Sequence, residues 1–250
     1  MVLEATMIII DNSEYMRNGD FTPNRYQAQL DTVEVIFRRK INDNPENTVG
    51  LMTMAGETCS FLSNLTADFG QILSGLHSCK IEGQSRLKES IEIACLALRN
   101  RQNKNLKQRI IVFVGSPINE SSDELKRLAA KLKRASVFID FINFGEQQEN
   151  TSKLEEFMDI VKDQENRSHL LTVPQGPYLL YEQVDKSPIL RDQDAGGSTS
   201  NGVSDFQDFG MDDPDMDPEL AMAIRLSLEE HNASNNNANN AQKDEKMEED

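Results

Sequence analysis

Met7-Ile8-Ile9-Ile10-Asp11-Asn12-Ser13-Glu14-Tyr15 is a short apolar run that ends on an acid and gives way to a polar loop. Such a run reads as a strand covered on both faces, with the acid marking where the chain leaves the sheet. Similar runs follow at Val49 to Met54, Ile110 to Val114 and Val137 to Phe144, with Leu170 to Val173 as a last strand. Between them, apolar residues recur at helical spacing: Tyr26, Leu30, Val33, Phe37 and Ile41, then Leu87, Ile91, Ala94 and Leu98. A third helix carries Leu125, Leu128, Ala129 and Leu132 behind the capping candidates Ser121, Ser122 and Asp123, and a fourth carries Leu154, Phe157, Met158 and Val161. Another apolar helical segment precedes His77. Thr58 to Leu62 follows Ala55-Gly56-Glu57 closely enough to turn back as an antiparallel edge strand. The alternation predicts an α/β fold over residues 1–190: a doubly wound, Rossmann-like, mostly parallel sheet of about six strands with helices on both faces. A segment of that length can bury a core of its own.

In an open sheet of this kind, ligands bind beyond the carboxyl ends of the strands, so the loop from Asp11 to Tyr15 is the place to look. An Asp that ends a buried strand, with Ser two positions later, is similar to the opening of a metal-ion-dependent adhesion site. With the order of elements, it makes residues 1–190 resemble the von Willebrand factor type A domain. The resemblance implies a full site of Asp-x-Ser-x-Ser, a Thr from a later loop and an Asp after the fourth strand, because a hard divalent ion needs several oxygens. Here Tyr15 replaces the second Ser, Ser85 in Glu82-Gly83-Gln84-Ser85 would have to stand in for the Thr, and Gly115-Ser116-Pro117 occupies the exit where the Asp belongs. The expectation is a degenerate site without metal or cofactor, in which Asp11 and Ser13 satisfy backbone groups of a tight loop.

No nucleotide-binding glycine motif is present, and His77, His169 and His231 are not spaced for a metal or a triad. The second Asp that a phosphatase of this fold would carry two residues after Asp11 is Ser13. The reading is therefore not an enzyme. Its rivals are a metal-dependent protein-binding type A domain and a hydrolase using Asp11. Cys59, Cys79 and Cys95 are odd in number, lack Cys-x-x-Cys spacing and follow no apolar-cored leader, which places the chain in cytoplasm and nucleus. No apolar run approaches the roughly 18 residues that cross a bilayer.

The charge is unevenly shared. Residues 191–250 hold 16 Asp or Glu against 4 Lys or Arg, a net of −12, which leaves −4 of the total of −16 for the first 190. An acidic chain without a basic patch argues against nucleic acid. The low-complexity composition of 191–215 and 233–250, one a flexible acidic linker and the other Asn-rich and acidic, predicts disorder. Between them, at 216–232, stands an apolar island. Asp217 caps it, Pro218 opens it, and Leu220, Ala223, Ile224 and Ser227 recur on one face, with Leu228 beyond and Glu219, Glu229 and Glu230 at the ends. A helix with no core of its own needs a partner. Glu219, Leu220, Ala223, Ser227 and Glu230 fill the defining positions of a pattern that resembles the ubiquitin-interacting motif.

A type A domain with a degenerate metal site, followed by one such helix on an acidic tail, resembles the family of ubiquitin-receptor subunits of the proteasome regulatory particle, in its fungal-like form. Asn44-Pro45-Glu46-Asn47-Thr48-Val49-Gly50-Leu51 and Ile142-Asn143-Phe144-Gly145-Glu146 carry the same likeness. The resemblance implies ubiquitin and polyubiquitin chains as partners of the helix through Asp217, Glu219, Leu220, Ala223, Ile224, Ser227, Leu228 and Glu230. It implies lid and base subunits as partners of the domain, with Asp11, Ser13 and Ser85 in a docking loop.

Overall fold

The computed structural model describes residues 3–162, 167–176 and 178–190; the expected linker, helix and acidic tail of 191–250 lie outside the described residues. Six strands form one sheet in the order β3-β2-β1-β4-β5-β6. They are β1 (Glu4–Ile10), β2 (Thr48–Thr53), β3 (Phe61–Thr66), β4 (Lys107–Val114), β5 (Val137–Phe144) and β6 (Leu170–Val173). All neighbours pair in parallel except β3, which runs antiparallel to β2. The helices are α1 (Arg25–Asp43), α2 (Phe69–Ser78), α3 (Leu87–Arg99), α4 (Ser122–Ala135), α5 (Gln147–Val161) and α6 (Leu180–Lys186).

Period-two alternation divides the strand residues between two cores. Met7 and Ile9 of β1, Ile110 and Val112 of β4, and Ile139 and Phe141 of β5 pack with α3, α4 and α5. Ile8, Ile10, Ile111, Phe113, Ile142 and Phe144 face the other way, onto α1, α2 and α6. Helix starts follow side-chain chemistry: Asn24, Asp68 and Ser121 each accept a hydrogen bond from a first-turn backbone N–H of α1, α2 and α4. Of the three capping candidates for α4, Ser121 is the cap.

β5 and β6 have the bounds expected from their apolar runs, whereas β1 and β4 begin three residues earlier, on charged residues. Glu4 and Arg109 are nevertheless buried, because the Arg109 guanidinium lies 3.0 Å from the Glu4 carboxylate and also bonds Asp140, while Lys40 reaches Glu4 at 2.9 Å. The edge strand is antiparallel as expected but begins at Phe61, not Thr58. Residues 55–60 form the turn, closed by Thr53 N–H donating to Ser60 O at 2.9 Å, and register shifts follow along the pair. α2 is the apolar segment noted before His77, and His77 lies inside its last turn. α6, only seven residues long, is too short to show a period.

The expectation of no basic patch is also corrected. Arg101, Lys104, Lys107 and Lys133 come from two separate stretches of chain and line one cleft at the amino ends of β4 and β5. Among the described residues no helix is long and apolar enough to cross a membrane.

Candidate functional site: a self-satisfied loop at the carboxyl end of the sheet

β1 and β4 are neighbours, so their exits place Asp11 beside Gly115 and Ser116. Asp11 is fully buried. One carboxylate oxygen accepts the Ser13 N–H at 2.9 Å. The other accepts the Ser116 hydroxyl at 2.6 Å and the Gly115 N–H at 3.2 Å. Gln29 of α1 locks the Asp11 backbone from the other side, its amide exchanging two 3.0 Å bonds with the Asp11 N–H and C=O.

The neighbouring residue joins this loop to two others. Asn12 accepts from the Ala55 N–H at 2.8 Å through its side chain and donates to Lys80 O at 3.0 Å, while its backbone C=O takes the Glu82 N–H at 2.8 Å. Glu14 to Arg17 then form one 3-10 turn that buries Met16 and leaves Tyr15 45% exposed. Ser85 forms an isolated bridge with Ala55 and donates weakly to Pro117 O at 3.4 Å. Asn150 of α5 supports the β4 exit from beneath, donating to Ser116 O at 2.9 Å and accepting the Ile118 N–H at 3.0 Å.

Beside these loops sits Arg25, whose guanidinium is buried against Asp20 in a two-pronged pair of 2.7 and 2.6 Å. It also reaches Glu146 at 3.1 Å and donates to Gly115 O at 2.8 Å. The same residue, Gly115, thus bonds Asp11 through its N–H and a fixed cation through its C=O. No sequence signal revealed Arg25, because its partners Gly115 and Glu146 lie 90 and 121 positions away.

A divalent ion does not fit this arrangement. It would need several free oxygens, preferably with more than one carboxylate among them. Here Asp11, the acid at the β1 exit, already accepts three hydrogen bonds, and a guanidinium is bonded to the adjoining carbonyl. The Ser13 hydroxyl is buried without a hydrogen-bond partner, which is the one ligand-like signal of the loop, but it has no acid left to share an ion with. No group of three or more His, Cys, Asp or Glu able to hold a metal exists among the described residues. The structure therefore bears out the expectation for Asp11, whose carboxylate satisfies backbone N–H groups, but not for Ser13, whose backbone N–H meets the acid while its hydroxyl bonds no backbone group. Ser85 belongs to the neighbouring loop. Asp217, Glu219, Leu220, Ala223, Ile224, Ser227, Leu228 and Glu230 lie outside the described residues.

The cysteines are unpaired and each is partly buried. Burial pushes the Cys95 thiol up to about 11, with Glu92 adding to the effect, so it is a poor nucleophile. Burial likewise raises Cys59 and Cys79.

Comparison with known proteins places these features in a family. The von Willebrand factor type A domain profile matches residues 6–117. The 26S proteasome regulatory subunit RPN10 of Saccharomyces cerevisiae is 54% identical over 239 residues, covering 92% of this chain and 89% of the relative. The rpn10 subunit of Schizosaccharomyces pombe is 46% identical over 233 residues, covering 93% and 92%. The crystal structure of the SpRpn10 VWA domain superimposes with a TM-score of 0.71 at 48% identity, covering 75% of this chain and 96% of that one. BatB of Bacteroides thetaiotaomicron, at 14% identity and a TM-score of 0.56, shares the fold alone.

Proposed function

Because the chain belongs to the family of the 26S proteasome regulatory subunit RPN10, we propose that it is a non-catalytic subunit of the proteasome regulatory particle that works in cytoplasm and nucleus. Its type A domain docks to lid and base subunits, and its C-terminal helix captures ubiquitin and polyubiquitin chains. One observation carries the reading: a relative of that name matches 92% of the chain, which residues 1–190 alone cannot supply, so the likeness continues into the acidic tail.

The docking part follows from the rigidity of the Asp11 loop. Side-chain and backbone bonds to α1, β4, the 80–83 segment and Ala55 hold its shape without an ion. A surface that is already ordered loses little entropy when it docks. The ubiquitin part follows from the sequence of the helix. Ala223 and Ser227 are small enough for close backbone approach, and the flanking acids suit an apolar patch ringed by Lys and Arg. A helix of about four turns is marginal alone, so part of the binding energy goes into ordering it. A single ubiquitin should bind with Kd on the order of 10 to 1000 μM, and chains should bind better through rebinding.

The test titrates the full chain into isotope-labelled ubiquitin and follows chemical shifts. Saturable shifts on the apolar patch of ubiquitin, abolished by Ala223→Asp with the melting curve of the domain unchanged, are expected. Unaltered affinity in Ala223→Asp would sink the assigned face. Docking is read separately, by co-sedimentation with regulatory particles. Asp11→Ala should weaken co-sedimentation while leaving ubiquitin shifts intact, and the opposite pattern would contradict the division of labour.

A further inference from the structure

The basic cleft lies at the end of the sheet opposite the Asp11 loop, about 25 Å away along a strand of eight residues. It has a volume of about 580 Å³. Among the described residues it is lined by Lys and Arg and by no Asp or Glu. In a chain of net charge −16 this is a local reversal of sign that the composition hides.

Part of the reversal has a structural cause. In a parallel sheet with crossover helices, helix carboxyl ends gather where strands begin, and α3, α4 and α5 all end near this cleft. Arg101 donates to Leu98 O at 3.1 Å and Leu106 O at 2.9 Å, Lys104 bonds Arg99 O, and Lys133 donates to Ile160 O at 2.9 Å and Lys162 O at 3.2 Å. Apart from Leu106 O, which lies in the loop before β4, those carbonyls are at the negative ends of the α3 and α5 dipoles, each dipole end worth roughly half a charge. Three helix ends offset about one and a half positive charges, whereas Arg101, Lys104, Lys107 and Lys133 supply four. The cations therefore exceed what helix ends need. Lys107 caps none of them: its backbone N–H donates to Leu3 O at 2.8 Å, but its ammonium makes no hydrogen bond or ion pair among the described residues, and the residue is exposed.

The floor of the cleft argues which anion fits. Phe138 lines it, but its ring already lies against two guanidiniums, Arg109 at 5.8 Å and Arg167 at 5.3 Å from the centroid. Single-stranded nucleic acid binds by stacking bases on open aromatic faces, and this ring has guanidiniums where bases would lie. A short run of carboxylates needs no open aromatic face.

We propose that this cleft is a docking site for an acidic peptide segment of a partner protein, with Lys104 and Lys107 as its reachable cations and Arg101 and Lys133 as fixed ones. The site is independent of the Asp11 loop.

The test measures fluorescence anisotropy of a fluorescein-labelled ten-residue glutamate peptide titrated with the full chain at 50 mM and 300 mM salt. Saturable binding that weakens with salt is expected. It should weaken at least tenfold further in Lys104→Glu/Lys107→Glu, and stay within twofold of wild type in Lys80→Glu/Lys186→Glu, which changes net charge equally. Lys104→Gln/Lys107→Gln, with a wild-type melting curve, should lose at least threefold, which separates loss of binding from loss of fold. Absence of peptide binding, or equal losses in the two reversal variants, overturns the proposal. So does tighter binding of a ten-nucleotide oligouridylate than of the peptide, if the Lys104/Lys107 variants abolish it, because the cleft would then be a nucleic-acid site.

Discussion

Both carboxylate oxygens of Asp11 accept bonds from the protein itself, so replacing the acid should disturb the loop without any involvement of an ion. Asp11→Asn turns one acceptor into a donor facing other donors, and a loss of about 1 to 3 kcal/mol is expected from urea unfolding. EDTA should leave the wild-type midpoint where it is; a lower midpoint in EDTA would restore the metal-site reading. Gly145 gives a second residue-scale expectation. Its φ of +97° is a conformation that side chains rarely adopt, and a Cβ there would lie 2.6 Å from the Arg25 guanidinium. Gly145→Ala should cost at least about 2 kcal/mol and loosen Arg25 from Asp20. An unchanged melting temperature would show that the loop can yield. The Asp11–Ser13 half of this site was legible in the sequence because its two members are two positions apart. Ser116 could be noted only as a missing Asp, since nothing in a linear reading says that its hydroxyl crosses 105 positions to the acid. Arg25 gave no signal at all, for the same reason.

Strands were legible at the element scale wherever both faces are covered, because burial alone dictates an unbroken apolar run. Met7–Ile10 of β1 and Ile110–Val114 of β4 show this, and the amino ends of the same two strands show its limit. Glu4 and Arg109 read as surface residues until each is seen to be the other's partner. β3 is harder still. It is an edge strand with exposed and buried positions mixed, so its period is faint and its start was displaced. Its security comes instead from α2, whose Gly75 approaches so closely that a Cβ would sit 3.1 Å from Leu62 O and 3.2 Å from Leu62 Cβ. Gly75→Leu should push α2 off the edge. Hydrogen exchange is then expected to speed by at least tenfold for the amides of Phe61–Thr66 while those of β1, β4 and β5 keep their protection. Uniform acceleration would mean that α2 and β3 unfold only with the whole domain.

Across the whole domain, a chain of buried charge runs from Lys40 of α1 through Glu4 of β1 and Arg109 of β4 to Asp140 of β5, with the His169 ring 3.2 Å from the Asp140 carboxylate. Burial alone would raise the Glu4 and Asp140 carboxyls, but Arg109, with Lys40 on one side and His169 on the other, holds both below their ordinary values of 4.5 and 3.8. With lowered folded values, the stability from these acids is complete above the ordinary values and is lost as pH falls through the lowered ones. Arg109→Met leaves each acid with one partner, so it should cost about 3 to 5 kcal/mol at pH 7. The deficit relative to wild type should shrink below about pH 4, as protonation removes the same pairing from wild type. A deficit constant from pH 7 to 3.5 would assign Arg109 a packing role only. The strand order also bears on synthesis. β1 is made first yet sits in the middle of the sheet, and its second parallel neighbour, beginning with Lys107 opposite Glu4, comes about a hundred residues later. At about 5 to 20 residues per second, the ribosome leaves one side of an isoleucine-rich strand without its neighbour for roughly 5 to 20 seconds in every copy it makes. That interval, before β4 emerges, is when the nascent chain is most open to pairing with the wrong strand and most in need of a chaperone.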